Sequence, residues 1–224
     1  MNNNSLRKYY KNDDILEIGI DEAGRGPMFG RLYTAGVVLP KDESFEHNLM
    51  CDSKKIKSLK KLQELSDYIK KNAIAWSVNY EDSKIIDKIN IRQSVLNSMQ
   101  LSARMVIKEL DVKKALLLVD GNDFKPFAHY YNDEIVPCDH VCIKGGDNTY
   151  TAIAAASILA KYERDKYILE LCERYPLLDE YYGLKTNKGY GTKKHMDGIK
   201  EHGITEWHRK SYGICKEMKL IDIN

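Results

Sequence analysis

The 224-residue chain lacks several features that would have fixed its class at once. Its five cysteines (Cys51, Cys138, Cys142, Cys172, Cys215) form no CxxC pair, which argues against a zinc site. An odd, scattered set favours reduced thiols in an intracellular chain. No apolar run approaches the ~20 residues that span a bilayer. The opening Met1-Asn2-Asn3-Asn4-Ser5 has no apolar core of a secretion signal. Repeats and low-complexity tracts are missing too. The expected site of action is therefore the cytosol, or the nucleoplasm of a eukaryote, and no membrane partner is expected.

An excess of one sign of charge is missing as well. Lys plus Arg number 35 against 33 acidic residues, a net charge of +2, so no global field announces a polyanionic partner. The lysines are patchy, however. Lys54, Lys55, Lys57, Lys60 and Lys61 cluster, as do Lys185, Lys188, Lys193, Lys194 and Lys200. Each patch suits either phosphate binding or an ordinary solvated face.

What is present reads as mixed α/β. Residues 1–13 read as a flexible extension and 14–224 as a single domain. Strands are expected over 15–20, 32–39 and 73–80, the first two joined as a hairpin with an enlarged Gly-Pro loop. A short helix is expected over 59–71, and Asp82 caps a long helical region reaching about 110. The wholly apolar Ala115-Leu116-Leu117-Leu118-Val119 suits a central parallel strand. Another strand follows over 135–143, then a long helix over 150–174.

Acidic residues stand at the ends of these elements. Asp21-Glu22 closes the first strand and opens a glycine loop, Gly24-Arg25-Gly26-Pro27. Asp120 ends the apolar strand, and Asp147 stands between a strand and a helix. Adjacent carboxylates repel unless a positive charge sits between them. Oxygen-only ligands select a hard cation, Mg2+ or Mn2+. Four carboxylates beside a phosphate suit two ions, placed to stabilise the attacking and leaving oxygens of an in-line displacement. Each element alone has a bland reading as turn or cap; their joint occurrence favours chemistry.

At this point the residues resemble the type 2 ribonucleases H, specifically the ribonuclease HII family. Asp21-Glu22-Ala23-Gly24-Arg25-Gly26-Pro27 is similar to its signature. Asp52-Ser53-Lys54-Lys55, Asp120-Gly121, Asp147, the helix carrying Ala154–Lys161 with Arg164-Asp165, Lys188-Gly189-Tyr190-Gly191-Thr192 with His195, and His208-Arg209-Lys210-Ser211-Tyr212 follow in the family's order. The intact Gly-Arg-Gly argues against the sister ribonuclease HIII group. Departures are Asn148-Thr149-Tyr150 after Asp147, and Tyr162-Glu163 where a Val-Thr pair is frequent.

The resemblance implies a ribonuclease H-like fold: a mixed five-stranded sheet flanked by helices, with a helical C-terminal region. It implies endonucleolytic hydrolysis of RNA in RNA–DNA hybrids, and cutting 5′ of single ribonucleotides embedded in duplex DNA. The products carry 3′-hydroxyl and 5′-phosphate ends, in the service of DNA replication and repair. Asp21, Glu22, Asp120 and Asp147 are the implied metal-binding carboxylates, with Asp21 expected to bridge the ions. The backbone of Gly24, Arg25 and Gly26, with Tyr190, is the implied reader of the RNA–DNA junction. Ser53, Lys54, Lys55, Lys161 and Lys188 are expected to hold substrate phosphates; for Ser53 a helix cap is the alternative. Asp165 is expected to support its helix. His195 and His208 are read as structural hydrogen-bonding residues rather than general acids, and Trp76 and Trp207 as packing. The tail 216–224 lacks the glutamine-led, double-aromatic pattern that docks sliding clamps, and a monomer is expected. Two other readings stay open: a nuclease or recombinase acting on DNA alone, and a non-catalytic hybrid-binding protein.

Overall fold

A computed structural model describes residues 5–223. Among these described residues, seven strands run in chain order: β1 (Leu16–Ala23), β2 (Leu32–Val38), β3 (Ala75–Glu81), β4 (Ala115–Asp120), β5 (Ala128–Tyr131), β6 (Glu134–Pro137) and β7 (Asp139–Ile143). The helices are α1 (Leu59–Asn72), α2 (Ser83–Ile89), α3 (Ile91–Leu110), α4 (Thr151–Arg174), α5 (Leu177–Tyr182), α6 (Leu184–Asn187) and α7 (Lys193–His202). Five strands form a mixed sheet in the order β3-β2-β1-β4-β7, while β5 and β6 pair apart from it. The expected five-stranded architecture is borne out.

The long helical region expected from Asp82 to about 110 is two helices. Asp82 caps α2 as read, its side chain accepting from the Ile85 amide at 2.9 Å. Asn90 then turns the chain with φ +67°, and its own side chain accepts from the Gln93 amide to start α3. The apolar spacing is imperfect because one helix ends and another begins. The strand read over 135–143 is also two. β6 pairs antiparallel with β5 across an Asn132-Asp133 turn in which both residues have positive φ. The chain breaks at Cys138, and β7 then pairs parallel with β4.

Backbone packing divides the chain into two compact units interleaved in sequence. The first takes the described part of Met1–Ala23, Thr34–Asn79 and Leu96–Tyr162; the second takes Gly24–Tyr33, Tyr80–Val95 and the described part of Glu163–Asn224. In the first, β1 and β4 run parallel, with Ile18 and Ile20 opposite Leu117 and Val119, all fully buried. Gly19 is what lets α4 lie on this sheet. A Cβ there would stand 2.2 Å from the Ala152 carbonyl carbon, closer than atoms tolerate. Ala152, Ala154, Ala155 and Ala156 complete the close approach from the helix side. On α3, Ser98 and Ser102 reach the buried Thr34 hydroxyl at 2.7 and 2.9 Å, so no polar group there is left unpaired.

Residues 1–4 of the expected N-terminal extension lie outside the described chain. Further along it, Arg7 pairs with the start of α4, its amide donating to Thr149 O at 2.8 Å and its carbonyl accepting from the Thr151 amide at 3.0 Å. The buried Glu17 carboxylate accepts from the amides of Tyr10 and Lys11 at 2.7 and 2.8 Å. Among the described residues, no helix is long and apolar enough to cross a membrane.

The second unit has its own core, built from Phe29, Ile168, Leu178, Tyr182, Leu184 and Ile199. It carries the Gly24–Tyr33 loop, α2, the C-terminal half of α4, and α5 to α7.

Candidate active site

In the first unit, the strand register brings the acids together. Ile20 pairs with Val119 on the parallel β1–β4 ladder, so the next residues along, Asp21 and Asp120, lie side by side at the carboxyl ends of two adjacent strands. That is where open α/β sheets gather ligands. Asp147 reaches the same end from a short turn, Gly146–Asn148, between β7 and α4. Gly145, in the left-handed region at φ +68°, makes that turn possible. The Gly146 amide then donates to Asp120 Oδ1 at 2.7 Å, tying the two acidic positions into one structure.

The electrostatics are those of crowded anions. Burial raises the Asp21 carboxyl well above its usual range, and repulsion from Glu22 and Asp120 adds to this. A hydrogen bond from Ser157 and the Glu22 amide, which donates to Oδ1 at 2.7 Å, works the other way. Asp120 is also raised, by burial against the pull of the Gly146 amide, with Asp147 adding repulsion. Asp147 is 2% exposed, and its Oδ2 is buried without a hydrogen bond. The Lys54 ammonium stands 3.5 Å from that oxygen. Burial disfavours this ammonium, but Asp147, Asp52 and Asp21 outweigh it and hold Lys54 above its ordinary range.

Asp21 and Asp120 thus face backbone and side-chain donors, and Asp147 has Lys54 beside it. Among the described residues no three of His, Cys, Asp and Glu stand close enough together to hold an ion as they are. The donor set nonetheless fits a hard divalent cation. It is all oxygen, it repels itself, and it includes a buried carboxylate oxygen with no hydrogen bond of its own.

The Asp52-Ser53-Lys54-Lys55 segment lies on the same acids. Asn148 donates to Asp52 Oδ2 at 3.3 Å and to Asp147 Oδ1 at 3.2 Å, and accepts from Lys55 at 3.2 Å. Ser53 does not cap the following helix; Ser58 caps α1. The Ser53 hydroxyl is instead buried 2.9 Å from that of Ser157, the serine that bonds Asp21. Ser157 is a site residue that sequence reasoning passed over. Its only signal is a hydroxyl inside an otherwise apolar helical run. Lys161 lies one turn further along α4, half-buried.

The second unit holds the other expected residues. Arg209, fully buried, gathers the carbonyls of the glycine loop: Nη2 donates to Gly24 O at 2.6 Å, Nη1 to Pro27 O at 2.8 Å and Arg25 O at 3.2 Å, and Nε to Gly30 O at 3.0 Å. No peptide here is cis. Planarity therefore turns the amides that follow Gly24 and Arg25, those of Arg25 and Gly26, away from Arg209. Burial lowers the Arg209 guanidinium to about 10, leaving it charged at neutral pH. Arg164, also buried, donates to the carbonyls of Phe29 at 3.3 Å and Lys188 at 2.8 Å. Gly24, at φ +95°, has no room for a Cβ, which would fall 2.3 Å from Arg164 Nε. Tyr190 is half-exposed and lies beside the loop: a Cβ on Gly26 would meet its ring at 3.6 Å. The loop and the tyrosine expected to act together are therefore neighbours. Lys188 sits at the C-cap of α6 in the left-handed region, its ammonium on Lys185 O.

His195 and His208 are both fully buried, Nε2 to Nε2 at 3.2 Å. Burial lowers both imidazoles, His208 more strongly because His195 adds to the effect. The fold holds them neutral, while in the unfolded chain they protonate near the ordinary value of 6.5. Below that pH the unfolded state binds the extra protons. The pair's contribution to stability will therefore fall as pH drops through about 6.5 and below, opposed by the raised Asp21 and Asp120, which take up protons first in the folded state. The drop in urea stability between pH 7.5 and pH 5.5 should be smaller in His208→Phe than in the wild type; an equal change in both would contradict it.

The architecture is that of a ribonuclease H-like protein. The ribonuclease H2 of Pyrococcus horikoshii OT3 superposes with a TM-score of 0.65 at 24% identity, over 91% of this chain and 96% of that one. A structure titled Bst-RNase HIII in complex with Mn2+ gives 0.60 at 16% identity, over 93% and 70%. At these identities the likeness shows the fold, and the Mn2+ is that protein's.

Sequence carries the assignment further. The model of the ribonuclease HII family matches residues 18–215. The ribonuclease HII of Bacteroides thetaiotaomicron is 40% identical over 211 residues, 94% of this chain and 96% of that protein. The chain belongs to the ribonuclease HII family, and so to the nucleases that hydrolyse phosphodiesters.

Proposed function

We propose that this protein is a divalent-metal-dependent endoribonuclease. It cuts the RNA strand of RNA–DNA hybrids and cuts 5′ of single ribonucleotides embedded in duplex DNA, leaving 3′-hydroxyl and 5′-phosphate ends. Ribonucleotide removal during DNA replication and repair is the role that this activity serves. The observation that carries the reading is the cluster of buried, mutually repelling carboxylates at the strand ends, Asp21 beside Asp120 with Asp147 on the adjoining turn. Such charge persists at a cost in stability and calls for cations.

Asp21, Glu22, Asp120 and Asp147 would hold two Mg2+ or Mn2+ ions, which when bound stabilise the attacking and leaving oxygens of the displacement. Ser157 and the Glu22 amide orient Asp21, and the Gly146 amide orients Asp120. Lys54 balances the acids and, once cations take over that task, can turn to a substrate phosphate. Lys55, Lys161 and Lys188 are further phosphate contacts, with Ser53 supporting them through its bond to Ser157. The backbone of Gly24, Arg25 and Gly26 reads the ribose 2′-hydroxyl, and the Tyr190 ring lies against the neighbouring sugar. The protein works as a monomer in the cytosol, without a linear clamp-docking motif.

Three duplexes test this: all-DNA, DNA with one embedded ribonucleotide, and an RNA–DNA hybrid, each with Mg2+ or Mn2+ and with products mapped to the nucleotide. The expected result is cutting of the last two alone, 5′ of the ribonucleotide in the second, and loss of cutting by at least a hundredfold in Asp120→Asn. Equal cutting of all-DNA duplex would favour a DNA nuclease. No cutting of any duplex would favour a binding protein.

A further inference from the structure

A neutral imidazole has one donor nitrogen and one acceptor, so its partners fix its tautomer. The Thr205 amide donates to His208 Nδ1 at 2.9 Å, and the Thr205 hydroxyl oxygen, able to donate or accept, also lies 2.9 Å from that nitrogen. An amide N–H cannot accept, so that nitrogen carries no proton and the proton of His208 is on Nε2. His208 Nε2 therefore donates across 3.2 Å to His195 Nε2. His195 must then carry its proton on Nδ1, which lies 3.0 Å from the Tyr190 carbonyl oxygen and donates to it. One direction of donation runs from the Thr205 amide through both rings to the backbone of Tyr190.

The rings have little freedom to depart from this. Tyr182 packs edge-on against both, and Phe29 edge-on against His208. Protonating His208 would set Nδ1–H against the Thr205 N–H; protonating His195 would set two Nε2–H groups against each other. The Tyr190 carbonyl also accepts from the Thr192 amide at 2.8 Å, a local turn bond. His195 adds the second bond, from α7, and the peptide after Tyr190 is held from two sides. The side chain of Tyr190 itself is half-exposed, with the Arg164 guanidinium carbon 5.9 Å from its ring centroid.

We propose that His195 and His208 are positioning residues that hold the Tyr190 backbone, and with it the ring beside Gly26, in the place where it meets the ribose of an embedded ribonucleotide. This rests on the nuclease reading above. It gives a function to the buried histidines of the Lys188–His195 and His208–Tyr212 motifs, which metal binding leaves unused.

Two measurements on the full chain test it. Histidine 15N–1H NMR should show His208 as the Nε2–H tautomer and His195 as the Nδ1–H tautomer; a protonated Nδ1 on His208 would overturn the relay. The second is kinetic. His195→Phe fills the space without hydrogen bonds, whereas His195→Asn places a side-chain N–H where Nδ1–H stood. The ratio of kcat/KM for a single-ribonucleotide duplex to that for a long hybrid should fall about tenfold in the Phe variant and return to within about threefold in the Asn variant, the scale of one hydrogen bond. An unchanged ratio in a folded Phe variant overturns the proposal while the nuclease reading stands, and so does equal loss in both. Should the Phe variant not fold, the Asn variant decides: a tenfold lower ratio there overturns it. If the wild type cuts neither substrate, the nuclease reading fails and takes this inference with it.

Discussion

Asp21→Asn will stop cleavage and make the protein more stable. The amide oxygen can still accept from the Glu22 N–H, which now donates to Asp21 Oδ1 at 2.7 Å, so the local geometry survives. What disappears is a buried charge that burial itself, Glu22 and Asp120 all disfavour. Removing it should raise the unfolding free energy by about 1–2 kcal/mol at neutral pH. On the proposed metal-binding role, cation binding would need the same charge, and turnover should fall by at least a hundredfold. Thermal unfolding without divalent ions and a single-ribonucleotide cleavage assay read the two effects. Added Mg2+ or Mn2+ should raise the melting temperature of the wild type and not that of the variant. Normal turnover in Asp21→Asn would remove this residue from the metal set.

Arg209→Met should be the most destabilising change in the second unit. The methionine fills much of the space, but the carbonyls of Gly24, Pro27 and Gly30 lose the guanidinium that serves them, while that of Arg25 keeps the Tyr212 hydroxyl at 2.9 Å. At about 1 kcal/mol or more for each buried acceptor left unpaired, the loss reaches roughly 3–5 kcal/mol. The charge that Arg209 buries does not offset this, because its acceptors remain behind when it goes. Arg209→Lys keeps the charge but not the planar fork, and cannot serve carbonyls spread along seven residues of chain. That variant should fold and lose preference for an embedded ribonucleotide over a long hybrid. Urea unfolding and the ratio of the two cleavage rates check the pair. A Met variant within 1 kcal/mol of wild type would show that the loop does not depend on this guanidinium.

The features that local chemistry governs could be read from residues in order. An apolar Ala115–Val119 run makes a central strand because nothing in it tolerates solvent. Asp82 starts a helix because its carboxylate reaches an amide three residues on. Of two misjudged elements, one turns on where its partners lie and the other on a single left-handed residue. Residues 135–143 read as one strand by residue type, and pairing first to β5 and then to β4 divides them at Cys138. Apolar periodicity carried the helix past Asn90, where a left-handed residue ends one helix and caps the next.

The site divides the same way. Residue order was enough to set acids at strand ends with glycines beside them, because those are local choices, and to show the family by resemblance; the metal role of the carboxylates and the reading role of the glycine loop with Tyr190 are what that resemblance implies. The folded arrangement decided which groups serve them. Ser157 reaches Asp21, and Arg209 reaches carbonyls some 180 positions away in the chain. A buried donor must find acceptors wherever packing leaves them, and no spacing along the chain encodes that.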